Sequence, residues 1–205
     1  MKATKIAGQP CELHALSGGA KLVHARDFLS SDERLALEGE SKSYAWAHQP
    51  IRGIRTLRAN AWFADDPLAI YVYAGQRWMP SSLPPTLVTI RDRLTPFAGE
   101  RMNSVLATLY PTGIASVGYH ADDEPLFGSE PIIASLSLGA TRTFQIVRRD
   151  LVRSRRACLE VEVKEGDLVI MRGPFQRHYL HALKKSSKSV GERINLSYRR
   201  VVHAT

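Results

Sequence analysis

After Asn103 the chain becomes a succession of short apolar stretches divided by turn signals, at 104–110, 132–138, 142–149, 157–164, 167–172 and 193–202. Stretches of that length between turns read as strands rather than helices. A series of evenly spaced strands restricts the fold to a β-sandwich or barrel, because only a second sheet or closure covers their apolar faces. The preceding half adds helices. Ser30-Ser31-Asp32-Glu33 has capping-box spacing with Leu35 and Leu37 following, and Pro84-Pro85 opens a pattern with Leu87, Ile90 and Leu94 at i, i+3 and i+7. No repeat or low-complexity linker interrupts the 205 residues. One α+β domain over 1–205 is expected, its helices first in sequence and packed on one side of the strands.

The same strands lead to groups that bind metals and anions. Val105–Tyr110 precedes His120-Ala121-Asp122, Gly166–Met171 precedes His178-Tyr179-Leu180-His181, and the last stretch holds Arg193-Ile194-Asn195-Leu196-Ser197-Tyr198-Arg199. Two imidazoles and one carboxylate cap one face of a ferrous ion and leave the opposite positions open. Arg193 and Arg199 point to the same side of a strand, because side chains alternate with period two. Two guanidiniums on one face suit a dicarboxylate, which each grips through parallel hydrogen bonds. His-x-Asp alone is a weak signal, and so is the arginine spacing in a chain with 28 basic residues. The order, with every piece on or beside a strand, is the stronger one. It outlines a 2-oxoglutarate-dependent dioxygenase. Spacing does not decide between His178 and His181 as the third ligand.

The formal net charge of +8 is unevenly placed, with Arg148, Arg149, Arg153, Arg155 and Arg156 in one run and Lys184, Lys185 and Lys188 in another. Such runs are either solvated loops or a surface that tracks phosphates. Between 44 and 80 the chain concentrates Tyr44, Trp46, Trp62, Phe63, Tyr71, Tyr73 and Trp78, with Arg52, Arg55 and Arg58 interleaved. Most of those rings belong in a core; the remainder suit stacking on bases. Cys11 and Cys158 are far apart and form no metal-like pair, which fits a reducing cytoplasmic or other intracellular setting. No apolar run follows the basic start, and no stretch approaches a membrane span, so neither a signal peptide nor a membrane partner is expected.

The chain resembles the AlkB family of Fe(II)/2-oxoglutarate dioxygenases from about Phe28 to Val202. The signatures are Leu109-Tyr110-Pro111-Thr112-Gly113, Gly118-Tyr119-His120-Ala121-Asp122-Asp123-Glu124, Ala134-Ser135-Leu136-Ser137-Leu138-Gly139, Gly166-Asp167-Leu168, His178-Tyr179-Leu180-His181 and the block from Arg193 to Arg199. The resemblance implies a double-stranded β-helix, or jelly roll, over about 103–202, with flanking helices and a nucleotide-recognition lid over about 44–80. It implies Fe(II), 2-oxoglutarate and O2, and His120, Asp122 and His181 as iron ligands, with His178 a wall or outer-shell residue. Arg193 and Arg199 correspond to the pair that holds 2-oxoglutarate, Asn195 to a further donor and Tyr110 to a tyrosine whose hydroxyl reaches the co-substrate. Thr108 stands where the family usually has Asn; it keeps a hydroxyl and loses the amide's donors. In the lid, Tyr73 stands where a ring stacks on the flipped base, with Tyr71, Arg58 and Trp62 in the same recognition segment. Asp123 and Glu124 follow the ligand motif where a carboxylate meets the base's exocyclic amine.

The implied activity is oxidative demethylation of alkylated DNA, or of RNA, by a monomer. A dioxygenase acting on a small molecule or protein shares the iron and co-substrate residues but leaves the arginine-aromatic segment unexplained. A non-catalytic nucleic-acid-binding module needs no metal ligands at all.

Overall fold

The computed structural model describes residues 1–51, 54–73, 75–154, 156–187 and 189–202; Arg52, Arg155 and Lys188, named above, lie outside them. In chain order, β1 (Lys2–Ile6), β2 (Gln9–Ala15) and β3 (Lys21–Ala25) precede α1 (Ser31–Ser41). β4 (Ala47–Ile51), β5 (Ile54–Ala64), β6 (Tyr71–Tyr73) and β7 (Gln76–Trp78) lie between α1 and α2 (Pro85–Ala98). There follow β8 (Ser104–Tyr110), β9 (Val117–His120), β10 (Ile133–Gly139), β11 (Arg142–Arg148), β12 (Leu159–Val163) and β13 (Leu168–Arg172). The short α3 (Phe175–His178), β14 (Tyr179–Leu183) and β15 (Arg193–Arg199) complete the order.

Two sheets face each other. The larger runs β1-β2-β3-β13-β10-β15-β8-β5-β4 and the smaller β12-β11-β14-β9, while β6 and β7 form a separate hairpin. The eight strands from β8 to β15 divide between the two sheets in the jelly-roll manner, four in each, changing sheet at every step except the β11–β12 hairpin. The expected strands from 104 onward are all present, with ends shifted by up to three residues. β9 and β14 were not expected: β9 has four residues and contains Gly118, and β14 follows directly on the helical turn α3.

The order of helices before strands is corrected by β1–β3, which precede α1 and extend the larger sheet beyond β13. Their charged and polar residues carry no long apolar run, and pairing along an existing sheet edge supplies what their own pattern lacks. The 44–80 segment also divides. β5 is an integral strand paired with β8 from Ala59↔Leu109 to Ala64↔Ser104, so only the β6–β7 hairpin stands outside the main sheets.

The helices form where the sequence signals lie. Ser30 accepts from Glu33 N and Glu33 accepts from Ser30 N, closing the capping box of α1. α2 begins at the Pro84-Pro85 pair and ends at Gly99, whose φ of 84° makes the left-handed cap. Leu87, Ile90 and Leu94 are fully buried on the face that meets the larger sheet, in one core with Val105, Leu136, Ile170, Leu196 and Tyr198.

That packing sorts each strand by alternation. Ile194, Leu196 and Tyr198 of β15 join the helix-side core, which turns Arg193, Asn195, Ser197 and Arg199 toward the space between the sheets. β8 does the same, with Val105 and Ala107 toward the helices and Leu106, Thr108 and Tyr110 toward the interior.

A candidate iron and co-substrate site

The three expected iron ligands meet because of strand register. His181 lies directly opposite His120 in the β14–β9 pair, their ring centroids 4.3 Å apart. Asp122 follows two residues past the end of β9 and is buried. Ligand atoms of His120, Asp122 and His181 all lie within 4.8 Å of one another. The Nε2 atoms of His120 and His181 approach opposite oxygens of the Asp122 carboxylate, at 3.7 and 3.9 Å. A register shift between His181 and Leu183 sits beside them, a common device for re-aiming a side chain at a site.

Local bonds orient the ligands. His120 Nδ1 donates to Gly118 O at 2.9 Å, which leaves Nε2 as the lone-pair nitrogen facing Asp122. The Asp122 backbone N–H donates to Gln176 Oε1 at 3.1 Å, tying the ligand loop to α3. Burial pushes the Asp122 carboxyl up, but Arg199, His181 and His120 outweigh it and hold it down at about 2. Burial, then the neighbouring His120, lowers His181 to about 3, so its imidazole is neutral. An ionised carboxylate and a neutral imidazole are the forms that bind a divalent ion.

The tie between His178 and His181 is broken by α3. His178 is its last residue, and its ring packs on Gly18, where a Cβ would stand 3.0 Å from Cδ2. It lines a surface groove with Ser17, Arg148, Arg149 and Arg177 and does not line the triad's cavity, so of the expected wall or outer-shell placements the wall is excluded. The chain turns from helix to strand at Tyr179, and Tyr179 and His181 then share the inward face.

Arg193 and Arg199 line the same cavity as the triad, with Tyr110, Thr108 and Asn195. Their surroundings differ. Arg193 Nη2 donates to Ser137 Oγ and Asn195 Oδ1, both at 2.9 Å, and its guanidinium lies 5.6 Å from the Tyr110 ring. Burial lowers its pKa to about 10. Arg199 instead donates to Asp122 Oδ2 at 2.9 Å. Among the described residues, Nε of Arg193 and Nε and Nη1 of Arg199 are buried without hydrogen-bond partners. Unsatisfied guanidinium donors in a cavity cost stability unless an acceptor arrives, and a dicarboxylate is an acceptor of the right charge. The donor set therefore fits iron, and the arginines fit its co-substrate.

The opposite wall is aromatic. Tyr71, Tyr73, Trp78 and Arg58 line it, with Tyr71 and Tyr73 stacked at 6.0 Å and 18°. Arg58 donates to Ser116 O at 3.1 Å. Three lid expectations are corrected. Trp62 is core rather than wall, packed against Tyr71 and Phe127 with Nε1 donating to Ala69 O at 2.8 Å. Asp123 is drawn outward to Arg149, at 2.7 Å. Glu124 accepts from the Tyr71 hydroxyl at 2.9 Å, and neither carboxylate lines the cavity. Asn60 and Trp78 line it; Trp78 was read only as one of the segment's aromatics, and Asn60 was given no role from the sequence. The signal for Asn60 was its strand partner, which only a known β5–β8 register reveals.

Residues 21–199 match the family model of the 2OG-Fe(II) oxygenase superfamily. The "DNA oxidative demethylase ALKBH2" of Arabidopsis thaliana is 31% identical over 216 residues, covering 91% of this chain and 68% of the relative. This chain belongs to the AlkB family of 2OG-Fe(II) oxygenases. The human "Alpha-ketoglutarate-dependent dioxygenase alkB homolog 3" is 36% identical over 152 residues, 70% of this chain and 51% of the relative. The chain thus spans about half the length of several curated relatives it matches. A solved structure of OsALKBH1 superposes with a TM-score of 0.66 over 92% of this chain and 100% of that one, and at 17% identity it bears on the fold. Family membership brings Fe(II), 2-oxoglutarate and O2 as the cofactor set. Among the described residues no helix is long and apolar enough to cross a membrane.

Proposed function

We propose that the protein is an Fe(II)- and 2-oxoglutarate-dependent dioxygenase that oxidatively demethylates N-alkylated bases in nucleic acid, of the 1-methyladenine and 3-methylcytosine type. One observation carries this reading: a single cavity is lined by the His120–Asp122–His181 triad, by Arg193, Asn195 and Tyr110, and by Tyr71, Tyr73 and Arg58.

When bound, the iron with 2-oxoglutarate and dioxygen supplies the oxidation of an N-methyl group to a hydroxymethyl that leaves as formaldehyde, with succinate and carbon dioxide formed alongside. The protein's residues bind and orient. His120, Asp122 and His181 would hold the metal, two imidazoles and one carboxylate being a donor set that suits Fe(II). Arg193, with Asn195 and Tyr110 beside it, takes one co-substrate carboxylate. Arg199 keeps Asp122 ionised and offers its two remaining donors to the same space. A base inside a duplex cannot reach a buried site, so it leaves the stack and is received between Tyr73 and the walls around it. Loss of pairing by the methylated base lowers the cost of that step.

The test is a panel of methylated and unmethylated DNA and RNA oligonucleotides, assayed for formaldehyde and succinate. The reading holds if methylated strands release formaldehyde in step with succinate. It fails if succinate forms and no methylated strand raises its rate, which would favour a small-molecule or protein substrate.

A further inference from the structure

The floor of the cavity carries a row of polar side chains set by register: Asn60 pairs with Thr108, Thr108 with Asn195, and Asn195 with Ser137, across β5, β8, β15 and β10. A sheet interior facing a second sheet is ordinarily apolar, as the same strands are on their helix side. Here Asn60 and Thr108 are both buried and both line the cavity. The Thr108 hydroxyl donates to Asn60 Oδ1 at 2.9 Å, which decides the orientation of the carboxamide, its oxygen to Thr108. Next along the row, Asn195 accepts from Arg193 at 2.9 Å and from Ser135 at 2.8 Å, so the row ends at the co-substrate arginine.

We propose that Asn60 is a 2-oxoglutarate-site residue, held by Thr108, and that the two act as one unit: threonine supplies the hydroxyl and its neighbour across the ladder supplies the amide. This rests on the co-substrate reading above. An asparagine–threonine pair can be joined in either order across two adjacent strands, the hydroxyl donating to the amide oxygen. The position of the amide, on β5 or on β8, is then exchangeable, whereas its loss is not.

The experiment is calorimetric titration of 2-oxoglutarate into the protein with Fe(II) present and dioxygen excluded, so that binding is read without turnover, with thermal melting in parallel. Wild type and Arg193→Ala are the controls: if wild type binds no 2-oxoglutarate, or Arg193→Ala binds as well as wild type, the co-substrate reading itself has failed. With those controls in order, Asn60→Ala is expected to weaken binding roughly tenfold, the scale of one hydrogen bond to a charged group. Thr108→Val is expected to weaken it, and the double Asn60→Ala/Thr108→Val to be no worse than the weaker single, since coupled groups are not additive. The reciprocal exchange Asn60→Thr with Thr108→Asn is expected to bind within about threefold of wild type, where either half of the exchange alone does not. Unchanged affinity in Asn60→Ala, or an exchange no better than its halves, overturns the proposal. If Asn60→Ala does not fold, the exchanged protein decides alone: near-normal binding sustains the unit, and lost binding in a normally melting protein removes it.

Discussion

Arg199 donates to Asp122 at 2.9 Å, so an arginine expected to face the co-substrate is already joined to a carboxylate expected to hold iron. The same guanidinium lies 5.0 Å over Phe127 and 5.8 Å over Tyr71. It therefore touches the metal wall and the aromatic wall together. Arg193, six positions earlier on the same face, has uncharged hydrogen-bond partners, Ser137 and Asn195, among the described residues. Burial lowers both guanidiniums, yet Asp122, Tyr71 and Glu124 carry Arg199 above its ordinary value while Arg193 stays depressed. Shared spacing gave two arginines one direction; packing gave them different partners.

That difference is measurable in kinetics. Arg193→Ala is expected to raise KM for 2-oxoglutarate at least tenfold with a smaller change in kcat, because it removes a ground-state carboxylate contact. Arg199→Lys keeps a positive charge but cannot serve Asp122 and the cavity at once, and should lower kcat as well. Steady-state assays of 2-oxoglutarate turnover check both; a normal KM in Arg193→Ala together with a normal kcat in Arg199→Lys removes the division of roles.

Iron binding should depend on three residues and not on their neighbour. His120→Ala, Asp122→Ala and His181→Ala each take one of three protein ligands and are expected to abolish turnover and weaken Fe(II) binding at least a hundredfold. His178→Ala, in the groove beside Gly18, should bind iron normally. Anaerobic Fe(II) titration of the four variants separates them, and a dead His178→Ala beside an active His181→Ala reverses the assignment.

Tyr73 tests the aromatic wall. Tyr73→Ala is expected to reduce demethylation of an oligonucleotide by the ~1–3 kcal/mol that stacking on one base contributes, while uncoupled 2-oxoglutarate oxidation persists. The ring is half-buried and stacked on Tyr71, so its loss also exposes a neighbour. Thermal melting tells the cases apart. A lowered midpoint with both reactions falling in proportion would show packing rather than stacking on a base.

A fourth expectation concerns stability. His24 Nε2 donates to Asp167 Oδ2 at 2.9 Å, and the backbone N–H groups of Asp27 and Lys164 donate to the same carboxylate. Burial pushes the Asp167 carboxyl up, but His24 and the two backbone donors hold it below its ordinary 3.8. A depressed carboxyl contributes stability above its unfolded pKa and loses it as pH falls through the lower folded value. Asp167→Asn should therefore cost about 1–3 kcal/mol at pH 7. Melting curves from pH 7 to 3 should show the gap to wild type narrowing below about pH 4. A gap independent of pH would mean that shape, not charge, is what Asp167 contributes.

The sequence alone determined a good deal. Local rules placed α1 at its capping box, α2 at Pro84-Pro85 and six of the strands after Asn103, because those signals lie within a few residues of each other. Alternation sent Arg193, Asn195 and Arg199 to one face, and the quoted motifs carried the family. What remained open was decided by contacts between distant segments. His178 and His181 are equivalent by spacing, and only the helix-to-strand turn at Tyr179 and the register of β14 against β9 chose between them. Trp62 and Tyr73 are both rings beside arginines, and the packing of Trp62 against Phe127 made one core and left the other in the wall. β1–β3 exist as strands because β13 offers an edge, and Asn60 enters the site because β5 pairs with β8. Period and propensity are properties of neighbours in the chain; register and burial are properties of neighbours in space, and no short stretch of sequence contains them.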